Sequence, residues 1–244
     1  MADGNAKELL TRSEKLFDGR QSTLSLWQEL GDQFYPERAE FTTVRDPGES
    51  FASHLFSTDP VMMRRDLGNQ ISAMTRPGSK QWGIPRVNDE KLMDDQVNRA
   101  YLDWLGKVQW SAMYDERCNF VRSTKEADHD LVTFGNAVLS AEVNQTAGRL
   151  RYMCHHLRDC AWSVNRDGVT DLMNRKFKLQ ARVAKQMFSM PGDVLHEKIH
   201  KACEKEPFKE FNFLHVMMPA DDYDYVSRES RKRSEEHTSE LQSR

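Results

Sequence analysis

Asp159-Cys160-Ala161-Trp162-Ser163-Val164-Asn165, then Arg166-Asp167-Gly168, then Val169 to Leu179, is the stretch that decides the fold. Cys160, Trp162 and Val164 fall on one side of an extended chain, and Ala161, Ser163 and Asn165 on the other. Asp167-Gly168 supplies the positive φ that a tight hairpin needs. The second run returns with mixed apolar and basic residues. Helical spacing then places Leu179, Val183, Met187 and Phe188 on one side. Strand, turn, strand, helix is therefore predicted between Leu157 and Phe188.

Working back, Ala137 to Asn144 alternates as a strand, Asn144 to Gly148 turns, and Arg149 to Met153 returns. Upstream of these the pattern is helical. Leu9, Leu10, Leu16, Phe17, Leu24, Trp27, Leu30 and Phe34 predict helix over 7–34, divided at Gly19 and ended by Pro36. Residues 36–58 are irregular, with a turn at Asp46-Pro47-Gly48. Asp59 as N-cap and Pro60 at the first helical position start a helix. Met63, Leu67, Ile71 and Met74 form its stripe, and Pro77-Gly78 stops it. Gln81 to Val87 reads as a short extended piece, confined to an edge by Pro85.

Asn88-Asp89 caps a long helix from Glu90 to about Asn119, with Leu92, Val97, Tyr101, Trp104, Leu105, Val108 and Met113 as its apolar side. Another helix, about Val121 to Thr133, stops at Phe134-Gly135-Asn136. Downstream of the opening stretch, Gly192 to Lys205 reads as helix and Phe211 to Met218 as strand. The fold class is α+β: long N-terminal helices, then a mostly antiparallel meandering sheet with inserted helices.

The 244 residues are 38% hydrophobic and 30% charged, and mean hydropathy is −0.76. That is polar for a single globule and fits either long solvated helices or a subunit whose core is completed by neighbours. A net charge of −3 argues against a generic polyanion binder. Cys118, Cys154, Cys160 and Cys203 contain no C-x-x-C pair and read as free thiols in a reducing compartment. No apolar run reaches membrane-spanning length, and no signal-peptide core is present, so a soluble product is expected.

His196-Glu197-Lys198-Ile199-His200 matches H-E-x-x-H. On a helix His196 and His200 would share a side and could hold zinc, with Glu197 activating water, which makes a zinc-dependent hydrolase the alternative reading. Against it, Lys198 and Lys201 are charged where such a helix is apolar. A third ligand would also have to be drawn arbitrarily from Glu204, Glu206 or Glu210. His155-His156 lies near Cys154 and Cys160, but adjacent strand residues point to opposite sides. Cys160 has no nucleophile context. Arg64-Arg65 and Arg175-Lys176-Lys178 are modest basic clusters. P-loop, dinucleotide and nucleophile-elbow motifs are not found. No catalytic, cofactor-binding or metal-binding residue is assigned.

Four blocks share an order with one family. These are Leu26-Trp27-Gln28-Glu29-Leu30 through Phe34-Tyr35-Pro36; Asp66 to Trp82; Phe134-Gly135-Asn136-Ala137; and Asn165 through Phe177 with the helix to Phe188. With Phe211 to Pro219 they span 24–219. The chain resembles the N-terminal, wing-like part of the portal, or head-to-tail connector, protein of short-tailed phages. The resemblance implies a structural, non-enzymatic subunit of a homo-oligomeric ring, typically a dodecamer, at one capsid vertex. Double-stranded DNA would pass through its channel during packaging and ejection. Terminase, capsid and scaffolding proteins, and tail adaptors are the implied partners. No membrane is involved, and assembly would occur in the host bacterial cytoplasm before incorporation in the virion. Methionine-rich and aromatic faces would then be covered by partner subunits.

Residues 233–244, Arg-Ser-Glu-Glu-His-Thr-Ser-Glu-Leu-Gln-Ser-Arg, have no apolar side and resemble a translated sequencing adapter. Residues 1–232 are accordingly expected to be the N-terminal part of a longer natural protein. A self-contained adaptor module remains the third reading.

Overall fold

Gly19 and Arg20 interrupt the first helical run. α1 spans Ala2–Asp18 and α2 spans Gln21–Phe34, as the division at Gly19 predicted. A computed structural model gives the fold and describes residues 2–46, 48–78, 80–144, 147–188 and 195–219. The chain divides into two units: residues 22–157, and residues 158–244 together with 1–21. The expected meander is accordingly carried as two antiparallel sheets, one in each unit.

In the unit of residues 22–157, α2 buries Leu24, Trp27, Gln28 and Gly31, the i, i+3, i+4, i+7 set of one helix side. Gln28 fastens the chain that follows. Its Nε2 donates to the Ala39 carbonyl at 2.9 Å, and its Oε1 accepts from Phe41 N at 2.8 Å and Thr42 N at 3.0 Å. Phe41 then meets Phe134 edge-on at 4.9 Å and Trp27 at 5.6 Å.

α3 spans Asp59–Thr75, with Thr58 rather than Asp59 at the cap position. Asp59 donates its N–H to Ser57 Oγ at 3.1 Å and sits inside the first turn, where its charge suits the helix dipole. The single helix expected over 90–119 is two. α4 spans Glu90–Asp94 and α5 spans Gln96–Met113. Asp95 lies between them with extended backbone, and its carboxylate accepts from Val97 N at 3.3 Å. An aspartate that can cap locally offers the backbone an alternative to continuing the helix. Residues 81–87 form no strand; they run as an irregular strap over α5.

α6 spans Phe120–Phe134 and ends at Gly135, whose φ of 72° is left-handed. β1 (Val138–Asn144) and β2 (Arg149–His155) pair antiparallel from Val138 opposite His155 to Asn144 opposite Arg149. Ser123 Oγ on α6 donates to the Tyr152 carbonyl at 2.9 Å.

The second unit is built on β3 (Cys160–Val164), β4 (Thr170–Gln180) and β5 (Glu210–Met217), in the order β3-β4-β5. The hairpin stands where the Asp-Gly signal put it. Gly168 has φ 77°, and Asn165 Oδ1 accepts from Asp167 N at 2.9 Å and Val169 N at 3.0 Å. Register pairs Ala161 with Asn174 and Asn174 with Val216, so these residues share one side of the sheet. That side is covered by α1. Phe17, Ala161, Leu214, Val216 and Met218 are buried together, with Leu9, Leu10 and Leu16 packed against them.

The opposite side carries Phe177 and Phe213, stacked at 5.6 Å. It is covered by Ala181 and Ala184 of α7 (Ala181–Met187), Ile199 of α8 (Glu197–Lys205), and Leu195 just ahead of α8. α8 begins later than the expected Gly192, because Leu195 and His196 are not helical. Residues 189–194, and the acidic and adapter-like stretch from 220 onward, lie outside the described residues.

Candidate subunit interface

The inward side of α3 is not its apolar side. Arg64, Gly68 and Ser72 are its buried residues, and Arg76 continues the same i+4 row. Met63, Leu67 and Met74 are 71%, 49% and 82% exposed. What holds α3 is polar and close. Arg64 Nε donates to the Phe34 carbonyl at 3.2 Å, and its guanidinium lies 3.8 Å over the Tyr35 ring. Arg76 pairs with Asp128 on α6. Between these arginines, Gly68 lets α3 close onto His129. Burial, then the nearby Arg64 charge, hold His129 below the usual histidine range.

α5 also carries an outward apolar stripe, although its inward side, with Leu102, Leu105, Trp110 and Met113 half-buried, is apolar as well. Gly106 is its one buried residue among those described, sitting beneath Gln81 and Pro85 of the strap. Trp82 of the strap meets Trp110 at 5.9 Å, and its Nε1 donates to Tyr114 Oη at 2.9 Å. Val97, Tyr101, Trp104 and Val108, at i, i+4, i+7 and i+11, face outward at 73%, 58%, 56% and 44% exposure. Tyr101 and Trp104 stand 5.8 Å apart. Two helices thus turn apolar stripes away from the fold that holds them. Exposed apolar stripes are candidate contact sites.

Behind them lies a buried polar centre. Arg38 grips Asp130 with both carboxylate oxygens engaged, at 2.6 and 2.7 Å. Asp130 is fully buried. Burial pushes the Asp130 carboxyl up, opposed by Arg38. Burial also works against the Arg38 charge, but the carboxylate outweighs it and holds Arg38 above its ordinary value. Cys154 Sγ lies 3.6 Å from Asp130 Oδ2. Burial, then the Asp130 charge, push its thiol up to about 12. A thiol so disfavoured as thiolate is a packing group, not a nucleophile.

The sequence-derived candidates fall elsewhere. His196 is the N-cap of α8, its Nδ1 accepting from Lys198 N at 3.1 Å. Glu197 pairs with Lys201 at 2.7 Å. The zinc alternative requires His196 and His200 on one helical side, and His196 instead has extended backbone outside the helix. Among the described residues no group of three His, Cys, Asp or Glu side chains could hold a metal. His155 Nε2 lies 2.9 Å from Ser140 Oγ, and His156 Nε2 lies 3.0 Å from the Arg38 carbonyl, so the two are engaged separately.

All four cysteines are free. The basic cluster on β4 is split between sides: Lys176 lies 4.0 Å over Phe17, and Arg175 lies 4.5 Å over Phe177. Sequence reasoning passed over Gly68, Gly106, Arg38 and Asp130. The i+4 row of Arg64, Gly68, Ser72 and Arg76 was the available signal, since it is a small-and-cationic stripe opposite an apolar one.

The family of bacteriophage head to tail connecting proteins matches residues 6–241, nearly the whole chain. The chain belongs to that family. This connector protein is therefore a structural component of the phage particle, acting where head meets tail. The family expected from the four sequence blocks is thus the one found. The match runs past Lys232 into the stretch read as adapter-like. No curated protein matches the chain. No described helix is long and apolar enough to cross a membrane.

Proposed function

We propose that this connector protein is one wedge of a closed ring, a dodecamer in its usual form, through which double-stranded DNA is packaged and ejected. The observation that carries the reading is the pair of outward apolar stripes, on α3 and α5, in a chain of mean hydropathy −0.76. Such a chain has little apolar residue to spare, and these side chains are withheld from its own core. Covering one half-exposed leucine, methionine or tryptophan contributes on the order of 1 kcal/mol. Several per subunit, repeated at every contact of a ring, give assembly a strong drive. A ring is made by a contact between two different patches, and it closes when the rotation per subunit allows.

The chain's work in this reading is geometric. It needs no cofactor and performs no bond-making step. Terminase supplies the motor, and capsid, scaffolding and tail adaptor proteins dock on the ring. Contacts that such a wedge could use as rigid joints support the reading: Arg38–Asp130 ties residues 36–38 to α6, the Gly68 closure ties α3 to α6, and Ser123 Oγ ties α6 to the Tyr152 carbonyl of β2. Electron microscopy of the purified protein tests the proposal. Closed rings with a central opening wide enough for duplex DNA are expected. Particles that are uniformly monomeric, or open chains without closure, would overturn it.

A further inference from the structure

Taking ring assembly as proposed above, we infer that the occupant of the α3 stripe is the α5 stripe of a neighbouring copy, packed antiparallel, with Asp66 set against Lys107. Three features of the two helices support this pairing. First, the stripes have equal span. Met63 to Met74 and Val97 to Val108 each cover eleven residue steps, about 16 Å of helix. Laid antiparallel, Met63 comes opposite Val108, Leu67 opposite Trp104, and Met74 opposite Val97. Second, their chemistries complement. The α3 stripe is chiefly methionine and leucine, adaptable in shape. The α5 stripe presents rigid rings, and sulfur–aromatic contacts are favourable.

Third, the charged borders match in sign. At 100° per residue, Asp59 and Asp66 border the α3 stripe on one side. Lys107 borders the α5 stripe on the same side, both helices being viewed from their N-termini. Antiparallel packing brings same-side borders together, and the register above leaves Asp66 within a turn of Lys107. Parallel packing would separate them. The Asp66 side chain is 64% exposed, and among the described residues its ion-pair contact is a loose 3.9 Å one with Arg65. Lys107 is exposed. Both are therefore available to a partner without disturbing the fold. The two stripes also sit on differently supported helices, α3 on α6 and α5 on β2 and the strap. A head-to-tail contact needs two distinct patches of this kind.

Charge reversal in the full chain tests the pairing. Asp66→Lys alone and Lys107→Asp alone are each expected to raise the assembly Kd about three- to tenfold, and the double variant to return it to within about twofold of wild type. Circular dichroism of each variant confirms that the fold is kept. Wild-type assembly with singles that have no effect, or with a double variant as weak as the sum of the singles, overturns the α3–α5 pairing and leaves the ring proposal standing. A wild-type protein that never assembles removes both.

Discussion

Gly68 on α3 lies against the imidazole of His129 on α6 so closely that a Cβ there would stand 2.2 Å from His129 Nδ1. Helix propensity favours alanine over glycine by about 1 kcal/mol. Steric overlap at that distance opposes it, and overpacking a fixed contact costs about 1–3 kcal/mol. The overlap should win. Gly68→Ala is expected to lower stability in urea unfolding, and His129→Ala in the same chain to recover part of the loss. A more stable Gly68→Ala would show that α3 does not close on His129.

Half-buried Arg38 and fully buried Asp130 make a two-point ion pair. Removing one partner leaves the other charge stranded, at a cost of about 3–5 kcal/mol. In Arg38→Met the stranded group is a carboxyl that burial already raises from its ordinary 3.8. As pH rises through 3.8, the unfolded chain releases this proton before the folded chain does, so folding loses stability upward from there. Arg38→Met should therefore be hurt more at neutral pH than near 3.8. Urea denaturation at the two pH values measures it, and equal losses would contradict the burial of Asp130.

Cys154, held at about 12 beside Asp130, should resist alkylation in the native protein. Cys203 is partly exposed on α8 and should be modified ahead of the buried Cys118 and Cys160. Peptide mass mapping after brief iodoacetamide treatment gives the order. Early modification of Cys154 would contradict its placement.

His196 caps α8 through Nδ1. Replacing a capping side chain with alanine costs about 0.5–2 kcal/mol, whereas asparagine is among the best caps. His196→Ala should lower thermal stability and His196→Asn should hold it. Neither variant should change bound metal, measured by elemental analysis of the purified protein. Stoichiometric zinc that is lost in both variants would restore the hydrolase reading.

Turn chemistry and helix punctuation were the legible parts of the sequence. Gly168 and Gly135 act locally, through the left-handed backbone that glycine adopts freely. The order of helices and strands, and with it the α+β class, followed from apolar spacing and alternation between those breaks. The break at Asp95 was hidden because the apolar pattern runs on across it, and only the cap bond reveals it. The interface stripes were legible as residues but not as directions. Met63, Leu67 and Met74 look the same in sequence whether they face a core or a neighbour. Burial decides, and here the buried row is Arg64, Gly68 and Ser72. The Arg38–Asp130 pair joins residues 92 positions apart, a distance over which no periodicity carries information.

Mass measurement in solution, across a range of protein concentrations, tests the central claim that the outward stripes join copies of this chain. Trp104, 56% exposed on α5, is the residue to change, because aspartate there places a charge in the contact without touching the fold's own core. The wild-type protein is expected to form one closed multimer of 28.4 kDa subunits, and Trp104→Asp to remain folded but smaller. A wild-type protein that stays monomeric at every concentration, or a Trp104→Asp variant that assembles as well as wild type, would contradict the account.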